Sequence, residues 1–123
     1  MANLTSVLQL STSGVAKDRV SFTSSKIAHV KNPAIQTGTL SISTIATIAT
    51  APAGTGASDG MYMYIKNIDP TNFLHVTFDS NNTLKVGPGE ITFFCVHDTR
   101  AVKGTASTGT VKIEYGYWTL DKY

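Results

Sequence analysis

Residues 110–118 alternate between apolar and polar side chains, and this alternation constrains the fold more than any other feature of the sequence. One parity carries Val111, Ile113, Tyr115 and Tyr117, and the other carries Thr110, Lys112, Glu114 and Gly116. A repeat of two residues over this length predicts a half-buried β-strand, because successive side chains of a strand point to opposite faces. No segment shows a convincing 3.6-residue apolar stripe, so we expect an all-β protein.

Further strands are predicted where short apolar or alternating runs end in turn residues. Residues 61–67 and 91–96 are apolar on both faces, which is typical of buried strands, and we expect the first of them to be central. The sharpest break is the Gly-Pro-Gly-Glu turn at residues 87–90. The other predicted strands cover residues 4–11, 19–24, 26–30, 39–48, 73–78, 83–86 and 101–106. Many short strands with frequent turns predict an antiparallel, jelly-roll-like β-sandwich.

The chain of 123 residues has the length of one ordinary domain, so we predict that residues 1–123 form a single sandwich. Residues 61–118 carry the best-defined strands, and the small, Gly-rich segment 51–60 is interpreted as a flexible loop. Residues 1–50 are rich in Ser and Thr. They either complete the sandwich or form an extended arm, and the pattern alone leaves both open.

Charge and composition exclude several functions. The formal net charge is +2 and charged residues make up only 15%, without a basic run, so we expect no nucleic-acid partner. The first residues lack a basic segment followed by an apolar run, and no apolar stretch is long enough to span a membrane. We therefore expect synthesis in a cytosol and no membrane partner. The one cysteine, Cys95, excludes an intrachain disulfide.

Candidate chemical groups are few. Cys95 and His97 have a spacing that suits two zinc ligands or a thiol beside a base, but a buried thiol and a strand-end His explain them better. The only glutamates, Glu90 and Glu114, are assigned to a turn and to the polar face of the last strand. Residues 54–60 lack the Gly-Lys-Ser/Thr ending of a phosphate-binding loop. We predict no catalytic, cofactor-binding or metal-binding residue, no small-molecule substrate, and no enzymatic activity.

The aromatic residues offer a binding alternative. Tyr and Trp near the end of the chain and in residues 61–67 are good anchors for protein interfaces, and they also stack on sugar rings. Packing in the core is the favoured interpretation, with a protein interface next. The group consists of Tyr62, Tyr64, Tyr115, Tyr117 and Trp118.

Four segments together resemble small structural proteins of tailed-bacteriophage particles. These are a strand with Ile-Lys-Asn (residues 62–69), the following residues 72–76, a Pro-Gly-Glu turn (84–90) and a closing strand with Tyr-Gly (111–118). The resemblance spans about half the chain, residues 61 to 118. It implies a non-enzymatic virion protein, most directly a capsid decoration or cement protein that binds and stabilises the capsid shell.

The same resemblance implies partners and a location. It implies a homo-oligomer, a trimer or another ring, bound to the major capsid protein on the capsid surface and made in the host cytoplasm. The contact regions are then expected in the N-terminal segment and in residues 51–60. Two alternatives stay open: a neck, tail or fibre-base protein of the virion, and a carbohydrate-binding β-sandwich that uses Tyr117 and Trp118.

Overall fold

The computed structural model describes residues 2–11, 21–51, 60–78, 81–97 and 99–122, and every regular element in these ranges is a β-strand. The nine strands are β1 (Ala2–Ser11), β2 (Ser21–Ile42), β3 (Ala46–Thr50), β4 (Met61–Asn67), β5 (Leu74–Phe78), β6 (Asn81–Val86), β7 (Ile91–Val96), β8 (Ala101–Ala106) and β9 (Val111–Lys122). The prediction of an all-β chain is confirmed. The three strands predicted at residues 61–67, 91–96 and 101–106 have the observed bounds.

The strands form two antiparallel sheets. The first has five strands in the order β1-β2-β9-β4-β7, and the second has four in the order β3-β8-β5-β6. All described pairings are antiparallel. Strand β4 lies between β9 and β7, so the prediction that it is central is confirmed. The last strand, β9, lies between β2 and β4, so it pairs with one strand from the first half of the chain and one from the second.

The first fifty residues differ from the predicted pattern. Residues 21–24 of the predicted strand 19–24 and the whole predicted strand 26–30 belong to the single long strand β2, because Ser25 continues the ladder opposite Val7. Residues 19 and 20 lie outside the described residues. The predicted strand 39–48 is instead the end of β2 and the start of β3, separated at residues 43–45. The register of β2 against β9 shifts between Val30 and Ile35. Pro33, which has no N–H to donate to a ladder, lies within this bulge.

One buried cluster draws side chains from both sheets. The five-stranded sheet contributes Met61, Met63 and Ile65 of β4, each with no exposed surface, and the inward residues of β9 continue this row. The four-stranded sheet contributes chiefly Leu74, Val76, Val86 and Val102. Gly104 of β8 lies at the centre of this packing. A Cβ atom there would come within 2.9 Å of Leu74 Cδ1 and 3.1 Å of Ile42 Cδ1, so a larger residue would require these core side chains to shift.

A single buried asparagine links the ends of several strands. Asn67, the last residue of β4, is fully buried, and its Nδ2 donates to the carbonyl oxygens of Asn72 at 2.8 Å and Val86 at 2.9 Å. Its Oδ1 accepts from the N–H of Asp69 at 2.8 Å. Its backbone N–H donates to Glu90, and its carbonyl accepts from Gly89. The side chain therefore connects the five-stranded sheet, through β4, to β6 of the four-stranded sheet.

The turn after β4 is organised by Asp69. Its Oδ2 accepts from the backbone N–H groups of Asn72 at 2.7 Å and Thr71 at 3.0 Å. These bonds, the one from Asn72 first, hold the pKa of the Asp69 carboxyl below its usual value. The predicted turn chemistry of Asp and Pro at residues 69–70 is thereby confirmed as an Asx-type turn.

Replacing Asn67 with Ala should destabilise the fold by about 2–4 kcal/mol, because two carbonyls and one N–H lose their buried partner. Urea unfolding followed by circular dichroism measures this loss. The matched control is Asn3→Ala, which removes an exposed asparagine and should change the free energy of unfolding by no more than about 0.5 kcal/mol. Equal losses for the two variants would contradict the role given to Asn67.

Candidate functional site

The outer face of the five-stranded sheet, which points away from the buried cluster, carries three of the five Tyr and Trp residues singled out in the sequence. Strand β4 alternates, with Met61, Met63 and Ile65 inward, so Tyr62 and Tyr64 face outward. Register with β9 places Trp118 beside Tyr62 on this outer face. Tyr115 and Tyr117 have the opposite parity and pack against the core as partly buried residues. The predicted aromatic group is therefore split between two environments.

Strand β7 continues the outer face to the end of the sheet. The rings of Phe93 and Tyr62 are stacked, with centroids 5.7 Å apart and planes 1° from parallel. Phe93 is 44% exposed and Ile91, on the same face, is 64% exposed. The prediction that residues 91–96 form a buried strand is wrong for this face, because β7 pairs only with β4 among the described strands and only its inward side meets the core.

A cleft lies on the outer face between β2, β9 and β4. The Trp118 ring covers Gly116, where a Cβ atom would be 3.0 Å from Trp118 Cη2, so glycine allows the indole to lie against the sheet. The Tyr64 hydroxyl donates to Glu114 Oε1 at 3.2 Å. The cleft has a volume of about 410 Å³ and is lined chiefly by Thr37, Thr39, Tyr64, Glu114 and Trp118. Tyr115 lines it as well, so the cleft combines three aromatic residues with hydroxyl groups and one carboxylate.

The N-terminal ribbon is the second component of the site. We define it as β1 with residues 21–30 of β2, which pair along their whole length from Ala2↔Val30 to Ser11↔Ser21. The pairing of β2 with β9 reaches only His29↔Lys122. Residues 21–28 therefore pair with β1 and with no other strand among the described residues. Within residues 1–50, the described residues 29–50 thus pair with strands of both sheets, while residues 2–11 and 21–28 pair with each other at one side of the five-stranded sheet.

The ribbon and the outer face share a second cleft. It has a volume of about 490 Å³ and is lined by residues of both components. Residues 4–8 and 24–26 line it from the ribbon, and Tyr64, Phe93 and Trp118 line it from the sheet. Tyr64 and Trp118 line both clefts, so the two clefts adjoin.

Exposed apolar side chains are concentrated on these same elements. Of the eight large hydrophobic side chains that are exposed in the described ranges, six lie on the ribbon or on β7. They are Val7, Leu8, Leu10, Ile27, Ile91 and Phe93. We call these six side chains the apolar surface. Val7 and Ile27 lie on one face of the ribbon and Leu8 and Leu10 lie on the other, because Ile27 is opposite Thr5 and successive side chains of a strand point to opposite faces. The apolar surface therefore includes both faces of the ribbon. Several exposed apolar residues on the same elements point to an interaction site, whereas single ones do not.

Of the residues considered as catalytic or metal-binding candidates, Cys95 and Glu90 do not line the clefts described above. Cys95 is exposed on the outer face of β7, so the prediction of a buried thiol is wrong, for the same reason as for Phe93. Among the described residues, no three His, Cys, Asp or Glu side chains come together as a metal site. Glu90 lies in the predicted turn, where its Oε1 accepts from the Gly87 N–H. The segment 52–59, which makes up most of the predicted flexible loop, lies outside the described residues.

Comparison with known proteins gives no relative. No protein-family model matches the chain, and neither the curated proteins nor the solved structures contain a match. In the part of the chain that the structure describes, no helix is long and apolar enough to cross a membrane.

The pair formed by Tyr64 and Glu114 has a measurable signature. Desolvation of the Tyr64 ring raises the pKa of its hydroxyl, and the hydrogen bond to Glu114 and the negative charge of that residue raise it further. We expect Glu114→Gln to lower the pKa of Tyr64, since it removes the charge. Titration of ¹³C-labelled tyrosine by NMR measures the change. Glu90→Gln is the control, and an unchanged Tyr64 titration in Glu114→Gln would contradict the pairing.

The raised pKa of Tyr64 also makes the free energy of unfolding depend on pH in the alkaline range. A tyrosine whose pKa is raised by folding contributes stability that is present below the unfolded-state pKa and is lost as pH rises through the folded-state pKa. The alkaline loss of stability should therefore be smaller in Glu114→Gln than in the wild type.

Proposed function

We propose that the two sheets form a jelly-roll sandwich with one additional strand. Strands β2 to β9 give the four-stranded orders β2-β9-β4-β7 and β3-β8-β5-β6, in which the chain alternates between sheets in the manner of two interlocked Greek keys. The cluster of buried side chains shared by both sheets supports face-to-face packing. Strand β1 is then an extra strand outside the eight-strand core. Jelly rolls are used in viral capsid proteins and in lectins, among others.

For the chain as a whole we propose a non-enzymatic structural role in a tailed-phage particle, as a decoration or cement protein on the capsid shell. The observation that carries this proposal is the apolar surface, with six large hydrophobic side chains exposed on the ribbon and β7. Fully burying one such side chain contributes about 1.5–3 kcal/mol, so a partner that covers several of them gains substantial affinity. The resemblance of residues 61–118 to virion proteins supplies the biological setting.

The form of the apolar surface suits assembly better than catalysis. The ribbon lines a cleft with the outer face and presents Val7, Leu8 and Leu10, each more than half exposed, together with polar Ser and Thr side chains. An apolar centre with a polar rim is the usual composition of a protein interface. Repeated copies on a symmetric shell multiply the strength of each contact, so a modest single interface is sufficient. A homo-oligomer bound to the major capsid protein is the corresponding assembly.

Counting copies in purified particles tests the role, and a ribbon variant tests the surface. We expect a copy number that is a simple fraction of the number of major capsid proteins. We expect Leu8→Lys to reduce incorporation at least about tenfold, because it places a charge where burial is required. Ile45→Lys changes an equally exposed apolar residue between β2 and β3, and it should leave incorporation unchanged.

Other results would redirect or reject the proposal. A few copies per particle would assign the chain to the neck, tail or fibre base. Absence of the wild-type chain from particles would reject a virion role altogether. Full incorporation of Leu8→Lys would show that the ribbon is not the surface that contacts the capsid, and a virion role would then need another contact surface.

Carbohydrate binding is a second candidate, and the cleft at Tyr64 and Trp118 favours it. Aromatic rings lying beside hydroxyl groups and a carboxylate are the usual lining of a site for a polar, ring-shaped ligand. The sugar-binding pair named from the sequence requires one correction: Trp118 lies on the outer face, whereas Tyr117 packs inward against the core.

A glycan array tests this candidate directly. If a glycan binds, Trp118→Ala should weaken its affinity at least about tenfold, because the stacking ring is removed. Tyr62→Ala removes an outer-face ring that does not line the cleft, and it should have little effect. An array without hits eliminates the carbohydrate candidate.

A further inference from the structure

Strand β7 has the main-chain geometry of a pairing edge. The Asn67 N–H donates to the carbonyl of Glu90 in the same register as the β4–β7 ladder, in which Met61 lies opposite Val96. Hydrogen-bonded pairs alternate along an antiparallel ladder, so Thr92, Phe94 and Val96 bond to β4. The N–H and C=O groups of the intervening residues Ile91 and Phe93 therefore point away from β4, toward the edge of the sheet.

The ladder on the other side of β4 agrees with this assignment. There the Ile68 N–H donates to Lys112 O, and the Leu120 N–H donates to Gly60 O. The even-numbered residues of β4 thus bond to β9, which leaves the odd-numbered ones for β7.

The side chains of β7 do nothing to block pairing. Edge strands are usually protected by charges, prolines or bulges, and the sequence of β7, Ile-Thr-Phe-Phe-Cys-Val, contains no charged residue or proline. Its ladder with β4 runs from Met61↔Val96 to Lys66↔Ile91 without a register shift. Ile91 and Phe93 also expose their side chains on the outer face. Among the described residues, β7 has no strand neighbour other than β4, so the main-chain groups of Ile91 and Phe93 and the apolar surface lie at the same sheet edge.

We propose that β7 pairs with β7 of a second copy of this chain, antiparallel and about a two-fold axis at Phe93. The strand is uncharged, so its own copy brings no like charges opposite each other. This axis places Phe93 opposite its symmetry mate and Ile91 opposite Cys95, so exposed side chains of one copy lie beside exposed side chains of the other. The Tyr62–Phe93 stack of each copy then forms one continuous aromatic row across the joint sheet.

This dimer is independent of the proposed virion role. It is an isologous contact, in which the same strand serves on both sides and the association closes at two copies. Larger assemblies then require the ribbon as a separate contact. Strand β1 is the competing edge, because it also has no charged residue or proline and exposes apolar side chains.

Sedimentation equilibrium of the purified chain, from about 1 to about 100 µM, tests the proposal. We expect the wild type to reach twice the monomer mass within this range. Phe93→Lys and Phe93→Glu should each be monomeric, because the axis brings two like charges together. An equimolar mixture of the two variants should recover the dimer, since Lys then faces Glu. Ile45→Lys is the matched control and should dimerise as the wild type does.

Cross-linking tests the register. Ile91→Cys places a new thiol opposite Cys95 of the other copy, at the Cα separation of about 5.5 Å that a disulfide accepts. Oxidation should give a covalent dimer, and the same variant combined with Cys95→Ser should not.

Three outcomes would overturn the proposal: a monomeric wild type at every concentration, a dimer that persists in both Phe93 variants, or a dimer lost in Leu8→Lys and kept in Phe93→Lys. The last outcome would assign the contact to β1. Thermal unfolding of each variant verifies that it is folded, and Ile91→Lys, at a position 64% exposed, provides a second charged variant on the same edge.

Discussion

The arrangement of the two sheets depends on how the end of β4 is held. Asn67 is buried among apolar side chains, and its amide binds backbone groups from the β4–β5 turn and from β6, while its backbone binds the turn before β7. An apolar residue of similar volume would leave those carbonyls without a donor, and a charged residue would be costly to bury. Packing supplies most of the stability, but it is not directional. The hydrogen bonds of this one side chain fix which strand ends meet.

The sequence predicts the elements better than it predicts their surroundings. The alternation of residues 110–118 identified β9, and the turn residues around 69–70 and 87–90 located the neighbouring strands. Strand β7 shows the limit, because an apolar run has the same appearance whether a strand is buried on two faces or lies at an edge with one face uncovered. The difference depends on which strand pairs beside it, and that is a property of topology. Ser25 shows the converse, since a polar residue interrupts the apolar pattern without interrupting the strand.

The surfaces proposed for binding were predictable by residue type but not by position. Tyr and Trp were candidates from their chemistry, yet the parity of β4 and β9 decides that Tyr64 and Trp118 lie on the outer face while Tyr115 and Tyr117 pack against the core. The ribbon was harder to foresee, because Leu4, Leu8 and Leu10 form the apolar stripe expected of a strand that packs on a core. In the structure Leu8 and Leu10 are more than half exposed. This exposed apolar stripe is one of the observations on which the proposed assembly role rests.

The position of β9 also governs the order in which the molecule can be made. The four-stranded sheet is complete once β8 has left the ribosome, since β3, β8, β5 and β6 all precede residue 107. The five-stranded sheet lacks its strand between β2 and β4 until residues 111–122 have emerged. During synthesis the edges of β2 and β4 that later bind β9 therefore have no partner from β9. Such edges invite pairing with other nascent chains. Rapid translation of the last strands, or a chaperone that shields β2 and β4, would therefore increase the fraction of chains that fold correctly.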